Sequence, residues 1–306
     1  MKWTKFAIVL AVLVAGAVLA TRGTPDPEVS LSSLVELWSD TLRDTDQIGM
    51  KLTRVSDAEE MRIGADLARG AVDLGAEDAA LSAYVTGVAQ PLIGHLHRKG
   101  IRYQFHVVDS PQINAFALPG GQIFVMKGLV NFAESEAELA AVLGHEMSHV
   151  DLRHCIERYQ YQAKLEKAGA PGVGVVVEFV HRLIARGFSP EQESEADAQG
   201  ERLSIEAGYD PDAAAALFAR MQTALHEPHR VQANTPVGEV GQATIEALEA
   251  YFRTHPPTEE RVRKLNEMVA RHHSELAGRS FYIGRQNLRE RVPKSSQKFP
   301  GEWRVF

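Results

Sequence analysis

Hydrophobic residues recur along this chain with two periods. A period of three to four residues is typical of an amphipathic helix, and its longest run predicts a single helix over residues 135–167. A period of two is typical of a strand and occurs at residues 103–108, while short β-forming runs at 115–118 and 123–125 flank a Pro-Gly-Gly turn. The other predicted helices cover residues 31–42, 56–74, 77–97, 178–185, 191–207, 211–225 and 258–270. These elements predict an α+β fold, mainly helical, with a small antiparallel sheet.

The first 20 residues have a different pattern. Lys2 and Lys5 precede residues 6–20, which carry no charge, and a basic start before a short apolar run is typical of a secretory signal peptide. The run also approaches the length that spans a bilayer, so an uncleaved anchor is the alternative. We therefore expect a periplasmic protein, either secreted through this signal or anchored by it in the inner membrane, where the N-terminal segment can contact the membrane surface.

Composition limits the class of protein. The chain has 306 residues, of which 44% are hydrophobic and 24% charged, values that exclude a mostly disordered chain and a polytopic membrane protein. The formal net charge of 33 − 40 = −7 provides no basic excess, so we expect no nucleic-acid partner. Cys155 is the single cysteine, which excludes a disulfide framework and a cysteine-ligated structural zinc site.

These patterns divide the chain into four parts. They are a signal peptide or anchor (1–20), a linker with a short helix (21–50), a folded domain (51–275) and a C-terminal tail (276–306). From residue 279 onward the tail carries seven Lys or Arg residues against two Glu, with five aromatic residues interspersed. A basic aromatic segment suits an acidic domain, so we expect the tail to pack back on the folded body, with membrane or partner binding as the alternatives.

The candidate chemistry lies within the longest predicted helix. Residues 145–149 read His-Glu-Met-Ser-His, and two histidines four positions apart lie one above the other on a helix face. Both imidazoles of His145 and His149 can therefore bind one zinc ion. Glu146 would lie beside the metal, where a carboxylate that is not a ligand can take a proton from the water molecule that the zinc holds.

A catalytic zinc needs a third protein ligand. A third histidine six residues after His149 is excluded, because Cys155 occupies that position. His154, five residues after His149, is turned away from the ligand face of a continuous helix. We therefore interpret it as a histidine that supports a ligand or lies on the surface.

An acidic run supplies better candidates. Residues 191–200 read EQESEADAQG, with Glu193, Glu195 and Asp197 on one predicted helix. Glu193 and Asp197 are four positions apart, so one carboxylate can bind the metal while the other accepts the outer N–H of a ligand histidine. Periodicity alone does not choose between Glu193 and Glu195, and a solvated acidic helix face is the alternative interpretation.

Five segments, taken in order, resemble one family of proteins. They resemble the HtpX and CaaX-prenyl-protease family of gluzincin zinc metallopeptidases, especially its soluble periplasmic branch, which includes BepA and LoiP, and the mitochondrial OMA proteases. The segments are 56–64 (SDAEEMRIG), 114–121 (NAFALPGG) with 123–125, 138–149 (ELAAVLGHEMSH), 193–197 (ESEAD) and 254–261 (THPPTEER).

The resemblance implies site residues that spacing leaves open. It implies one zinc ion per chain, with Glu193 as the third ligand and Asp197 as the supporting acid. His255 is implied as a regulatory fourth ligand, and Arg261 as a group that stabilises charge in the transition state. An edge strand of the sheet is implied to border the active site and to hold extended substrate, and its residues are Asn114, Ala115, Phe116 and Ala117.

These observations predict a zinc endopeptidase that acts on polypeptides, with Glu146 as the base. The resemblance implies misfolded or misassembled envelope proteins as substrates. A second hypothesis is a latent, self-inhibited protease that acts mainly as a binding or chaperone-like quality-control factor. It is motivated by His255 and by the polar loop at residues 226–241, either of which can cover the zinc.

Overall fold

The structure is a computed structural model and describes residues 55–71, 75–167, 187–226, 248, 251–256 and 259–306. The predicted signal or anchor, the linker with its short helix, the helix predicted over residues 178–185 and the polar loop beyond residue 226 lie outside these residues. Among the helices described, none combines the length and the apolar character needed to cross a bilayer.

The predicted α+β class, mainly helical, is confirmed. The strands are β1 (Gln104–Val108), β2 (Ala115–Leu118), β3 (Gln122–Met126), β4 (Ser280–Tyr282) and β5 (Trp303–Val305). The helices are α1 (Asp57–Gly70), α2 (Ala79–Ile93), α3 (Lys127–Phe132), α4 (Glu136–Asp151), α5 (His154–Lys167), α6 (Pro190–Glu206), α7 (Ala213–His226), α8 (Glu259–Glu275) and α9 (Arg285–Glu290).

The first three strands form one sheet in the order β1–β3–β2. The prediction of an antiparallel sheet is wrong for one of its two pairs, because β1 runs parallel to β3 while β2 is antiparallel to it. The loop at residues 109–114 reverses the chain but leaves the width of one strand between β1 and β2. β3 fills that space after the tight turn at Pro119–Gly121, and it therefore runs in the direction of β1.

Alternate residues of the sheet face two hydrophobic clusters. Ile123 and Val125 belong to the main core with α2 and α4, while Phe124 and Met126 pack with Leu67 of α1 in a second cluster. The sheet is therefore covered on both faces, and β2 forms its edge next to α4 and α5.

Helix α4 is buried along its whole length and is crossed by α6 at a pair of glycines. A Cβ atom on Gly144 would lie 2.8 Å from the carbonyl oxygen of Gly200, and one on Gly200 would lie 2.7 Å from the amide nitrogen of His145. Only glycine permits this approach of the two backbones. The crossing therefore brings the acidic residues of α6 within reach of the histidines of α4.

The single helix predicted over residues 135–167 is wrong, because the helix breaks at Leu152 and Arg153. Arg153 has a left-handed backbone, with φ of 70°, which interrupts the helical hydrogen bonds. Its guanidinium donates to the carbonyl oxygen of Val55 at 2.7 Å. The chain then starts α5 at His154, so His154 no longer follows the helical phase of His149.

The C-terminal tail packs on the folded body, as predicted. The first backbone N–H groups of α4, from Glu136 and Ala137, donate to the carbonyl oxygens of Gly284 and Ile283. The amide of Lys294 donates to the buried Glu136 carboxylate at 2.9 Å. The tail therefore caps the N-terminus of the helix that carries the His-Glu-Met-Ser-His motif.

Candidate active site

Helix α4 presents His145, Glu146 and His149 in a buried space. The Nε2 atoms of the two histidines lie 3.1 Å apart, as their spacing of four positions predicts. All three side chains are buried, and the exposed fractions of Glu146 and His149 are 0%.

Two further side chains face these nitrogens. Glu193 of α6 approaches with its carboxylate oxygens 3.5 Å from Nε2 of His145 and 3.6 Å from Nε2 of His149. His255 approaches from the other side, with Nδ1 3.3 Å from Nε2 of His145 and 3.0 Å from Oε1 of Glu193. One ligand atom from each of these four residues lies within 4.8 Å of every other.

The donor set fits a zinc ion. In a tetrahedral site with bonds of about 2.0–2.1 Å, neighbouring ligand atoms are separated by about 3.3 Å. The closest pairs of donor atoms described above lie 3.0 to 3.6 Å apart. Imidazole nitrogens and a carboxylate are also the ligand types that zinc accepts.

The charges around the cluster favour a cation at its centre. Burial disfavours a charged imidazole, yet hydrogen bonds with Asp197 and Glu193 raise the pKa of His145 to about 10. Burial also opposes ionisation of Glu193, but the charge of His255 and the hydrogen bond with His145 hold its pKa well below the usual value. Two acids that retain a proton on an imidazole would equally stabilise a metal cation.

Glu146 has the properties of a base. Both of its carboxylate oxygens are buried and have no hydrogen-bond partner among the described residues, and Nε2 of His255 lies 3.4 Å from Oε1. Burial raises the pKa of Glu146. A desolvated carboxylate of raised pKa can accept a proton and return it near neutral pH.

Asp197 and Arg261 lie immediately behind the cluster. Oδ1 of Asp197 is 2.9 Å from Nδ1 of His145, so this carboxylate accepts the outer N–H of the histidine. Arg261 donates to both Asp197 oxygens, at 2.6 and 2.9 Å, and its Nη1 lies 2.8 Å from Oε2 of Glu193. The structure therefore brings Arg261 to the site as the partner of two carboxylates.

Comparison with known proteins decides the family. A sequence profile of peptidase family M48 matches residues 77–269, which include α4, α6 and the segment around His255. The chain belongs to peptidase family M48. The family resemblance predicted from the five segments is thereby confirmed.

Relatives of this M48 chain include the mitochondrial metalloendopeptidase OMA1 of Schizosaccharomyces pombe, which is 32% identical over 193 residues, covering 61% of this chain and 52% of the relative. OMA1 of Arabidopsis thaliana is 32% identical over 200 residues, covering 63% and 37%. The β-barrel assembly-enhancing protease of Escherichia coli is 28% identical over 181 residues, covering 52% and 37%. The chain thus spans about half, or less, of the length of these relatives.

The M48 site contains a support for His149 that sequence reasoning did not place. Nδ1 of His149 lies 3.0 Å from Nδ1 of His154, and Nε2 of His154 lies 3.1 Å from Oε2 of Glu195. Of the two interpretations of His154, a supporting role agrees with this contact and a surface position does not. The prediction that His154 is turned away from the ligands is wrong, because the break at Arg153 brings its ring to His149. Of the two glutamates that periodicity left open, Glu193 faces the cluster and Glu195 faces His154.

Phe188 is a second residue that sequence reasoning missed. Its ring stacks on the imidazole of His149 with the ring centres 3.7 Å apart. The guanidinium of Arg158 lies 4.7 Å from the centre of the Phe188 ring. No periodic signal marks Phe188, which directly precedes Ser189, the N-cap residue of α6.

The predicted substrate strand borders the M48 site. A cleft beside the cluster is lined by Phe116, Ala117 and Leu118 of β2 together with Phe188 and His255. The carbonyl oxygen of Asn114 accepts the amide of Met126 in β3. Because hydrogen-bonded pairs alternate along an antiparallel ladder, the backbone groups of Ala115 and Ala117 point away from β3. This outer side of β2 is buried, and the carbonyl oxygen of Ala117 accepts from the thiol of Cys155 at 3.6 Å.

Proposed function

We propose that this chain is a zinc-dependent endopeptidase. The observation that carries the proposal is the buried carboxylate of Glu146, which accepts no hydrogen bond from the described residues and lies next to a cluster of metal-ligand atoms in a chain of family M48. His145, His149 and Glu193 would hold one zinc ion per chain, with Asp197 supporting His145.

The residues of the site suggest how a peptide bond would be hydrolysed. Zinc bound there would supply a Lewis acid that polarises a carbonyl and lowers the pKa of water. Glu146 would remove a proton from the attacking water and pass it to the leaving amine, which its raised pKa favours. Arg261 would act on the transition state through Glu193 and Asp197, by holding the charge and orientation of both carboxylates.

Extended substrate would lie along β2. The outward backbone groups of Ala115 and Ala117 would pair with a peptide as one more strand, which would displace the Cys155 thiol from the carbonyl oxygen of Ala117. Asn114 and Phe116 would hold β2 against β3. Side chains of the substrate would then enter the cleft between Phe116 and Phe188.

The substrates we propose are misfolded or misassembled envelope proteins. The support is the name of one relative, the β-barrel assembly-enhancing protease, together with the signal-like pattern of residues 1–20, which favours export to the periplasm. The same segment is proposed as the contact with the inner membrane where it is not cleaved.

His255 motivates the second hypothesis, a latent protease that acts mainly by binding. Its Nδ1 stands where a fourth ligand would, and a catalytic zinc site keeps one position open for water. Family membership favours the peptidase, so we propose that His255 restrains the resting enzyme and leaves the position when substrate enters.

Casein cleavage by the purified protein with added zinc tests this function. We expect cleavage by the wild type that a chelator abolishes, and Glu146→Gln to bind one zinc ion while its kcat falls by about 10²- to 10⁴-fold. His255→Ala should cleave faster than the wild type. Glu191→Gln, an exposed acid on α6, is the matched control and should behave as the wild type.

Each contrary result has a distinct meaning. Full activity of Glu146→Gln would overturn the role of this carboxylate. A wild type that binds neither zinc nor substrate would overturn the proposed function, and zinc binding without cleavage in the wild type, relieved in His255→Ala, would establish the latent form.

A further inference from the structure

The two histidines of the metal cluster are supported in different ways. His145 contacts a carboxylate directly, through Asp197. His149 contacts a second histidine, His154, and only that histidine reaches a carboxylate, Glu195. His154 is 3% exposed, whereas the side chain of Glu195 is 64% exposed.

The order of these contacts determines where the protons lie. The carboxylate of Glu195 only accepts hydrogen bonds, so Nε2 of His154 must carry a proton to be 3.1 Å from it. In a neutral ring that carries its proton on Nε2, the lone pair lies on Nδ1. Nδ1 of His154 is then an acceptor, and Nδ1 of His149 must donate to it across 3.0 Å.

This arrangement leaves Nε2 of His149 without a proton. A neutral imidazole that carries its proton on Nδ1 has its lone pair on Nε2. Nε2 is the atom that faces Nε2 of His145 and the Glu193 carboxylate. His149 is thus held in the tautomer that a metal ion requires.

We propose that His154 and Glu195 are positioning residues that set the tautomer and orientation of His149 for metal binding. The inference rests on the proposed function, because it takes His149 as a zinc ligand. The break at Arg153 makes this contact possible, since it places His154 beside His149 rather than on another face of one continuous helix. Stacking of Phe188 on the other side of His149 leaves the ring little freedom to rotate.

We call the contacts from Glu195 through His154 to His149 the relay. Zinc affinity, measured by competition with a chromophoric chelator, tests the relay without reference to activity. Loss of a partner of this kind typically lowers metal affinity about 10- to 100-fold, and we expect such a loss in His154→Phe, which keeps a ring but has no acceptor. His154→Asn places an amide oxygen where Nδ1 accepts and should retain affinity within a few-fold of the wild type. Glu195→Ala should lose affinity in the same direction as His154→Phe.

The order of the variants separates the relay from simple packing. If His154 only fills space, Phe should be tolerated and Asn should be the damaging change. The matched controls are His95→Phe and Glu206→Ala. Nδ1 of His95 lies 3.3 Å from Oε2 of Glu206, which is on α6 like Glu195 but away from the metal cluster. Thermal unfolding of each metal-free variant is measured in parallel.

The outcomes distinguish this inference from the proposed function. A wild type that binds no zinc would overturn both. A wild type that binds zinc while His154→Phe and Glu195→Ala match the controls would overturn the relay alone. If His154→Phe does not fold, Glu195→Ala still tests the relay, because the exposed side chain of Glu195 can be removed without disturbing the core. The zinc affinity of Glu195→Ala must then fall if the relay exists.

Discussion

Glu201 is a buried acid on α6 that the proposed mechanism does not use. Its Oε2 atom has no hydrogen-bond partner among the residues described, and its Oε1 atom lies 2.9 Å from Nδ1 of His272. Burial, together with the nearby charge of Asp197, raises the pKa of Glu201 from 4.5 to about 8. Burial also lowers the pKa of His272, and its Nδ1 atom has no hydrogen-bond partner among the described residues, so burial favours the uncharged form of both side chains.

This residue predicts a pH dependence of stability. Because the pKa of Glu201 is higher in the folded state, the folded state holds an extra proton between about pH 4.5 and pH 8. Its stabilising contribution is complete below that range and is lost as the pH rises through it, by up to about 1.4 kcal/mol per pH unit. Glu201→Gln should remove this slope and raise the free energy of unfolding at pH 8.

Urea unfolding of the two proteins at pH 5, 6.5 and 8 measures the difference. Glu191→Gln, on the exposed part of the same helix, should keep the slope of the wild type. A parallel pH profile for Glu201→Gln and the wild type would contradict the raised pKa.

At the scale of elements, one turn ties α1 to β2, the proposed substrate strand. The buried carboxylate of Glu60 accepts the amide of Gly120 at 3.2 Å and pairs with Arg98. Gly120 has a φ of 72°, and a Cβ atom there would lie 2.5 Å from the carbonyl oxygen of Glu60 and from Cα of Met61. The turn between β2 and β3 is therefore held against the start of α1 by backbone contact.

Gly120→Ala is expected to displace β2. The substitution combines a left-handed backbone, which costs about 1–2 kcal/mol in a residue with a Cβ atom, with a clash that no side-chain rotation can relieve. Gly301→Ala is the matched control, since Gly301 has a φ of 78° and nothing within 4 Å of its Cβ position. We expect Gly120→Ala to lose more stability than the control and, alone of the two, to raise KM for casein.

Equal losses of stability in the two variants would show that the clash at Gly120 is relieved without moving β2. In that case the contact with α1 does not determine the position of the strand.

Elements with a local signal could be predicted from the sequence, and those without one could not. Strand β2 and the Pro-Gly-Gly turn follow from residue type, but the direction of β1 relative to β3 depends on which strand fills the gap between β1 and β2. The helix break at Arg153 could not be predicted, because no glycine or proline lies there. The break depends on the contact of Arg153 with Val55, which is remote in sequence.

The residues of the candidate site likewise divide into those that local spacing predicts and those that depend on tertiary contacts. His145, Glu146 and His149 lie on one turn of helix, so their spacing alone predicts their convergence. Glu193 needs the crossing of α4 and α6, which periodicity does not specify, and only the family resemblance selected it. The contacts of His154 were beyond sequence reasoning, because they depend on the unforeseen break.

At the scale of the whole molecule, the tail completes the environment of α4. Glu136, at the start of α4, is fully buried, and its carboxylate accepts from the hydroxyl of Tyr209 at 2.7 Å and from the amide of Lys294 at 2.9 Å. The ammonium group of Lys294 donates to the carbonyl oxygen of Ala207 at 2.7 Å. A buried carboxylate that loses such partners is costly.

Deleting residues 294–306 should therefore destabilise the peptidase domain itself. We expect the free energy of unfolding to fall by at least about 3 kcal/mol, and zinc affinity to fall with it because the N-terminus of α4 is no longer held. Thermal and urea unfolding measure the first effect, and chelator competition the second.

Arg289→Ala, an exposed change within the tail, should leave both quantities unaltered. Unchanged unfolding of the truncated protein would show that the tail is dispensable to the fold and would leave it free for a membrane or a partner.

The contact between Glu136 and Lys294 also constrains the timing of folding. The two residues are 158 positions apart, and chains are synthesised at about 5–20 residues per second. On the order of 8–30 seconds therefore pass on the ribosome between the synthesis of the α4 N-terminus and that of its cap. During this interval a nascent chain has the helix that carries the His-Glu-Met-Ser-His motif but not the segment that caps it, so α4 stays uncapped until synthesis is almost complete.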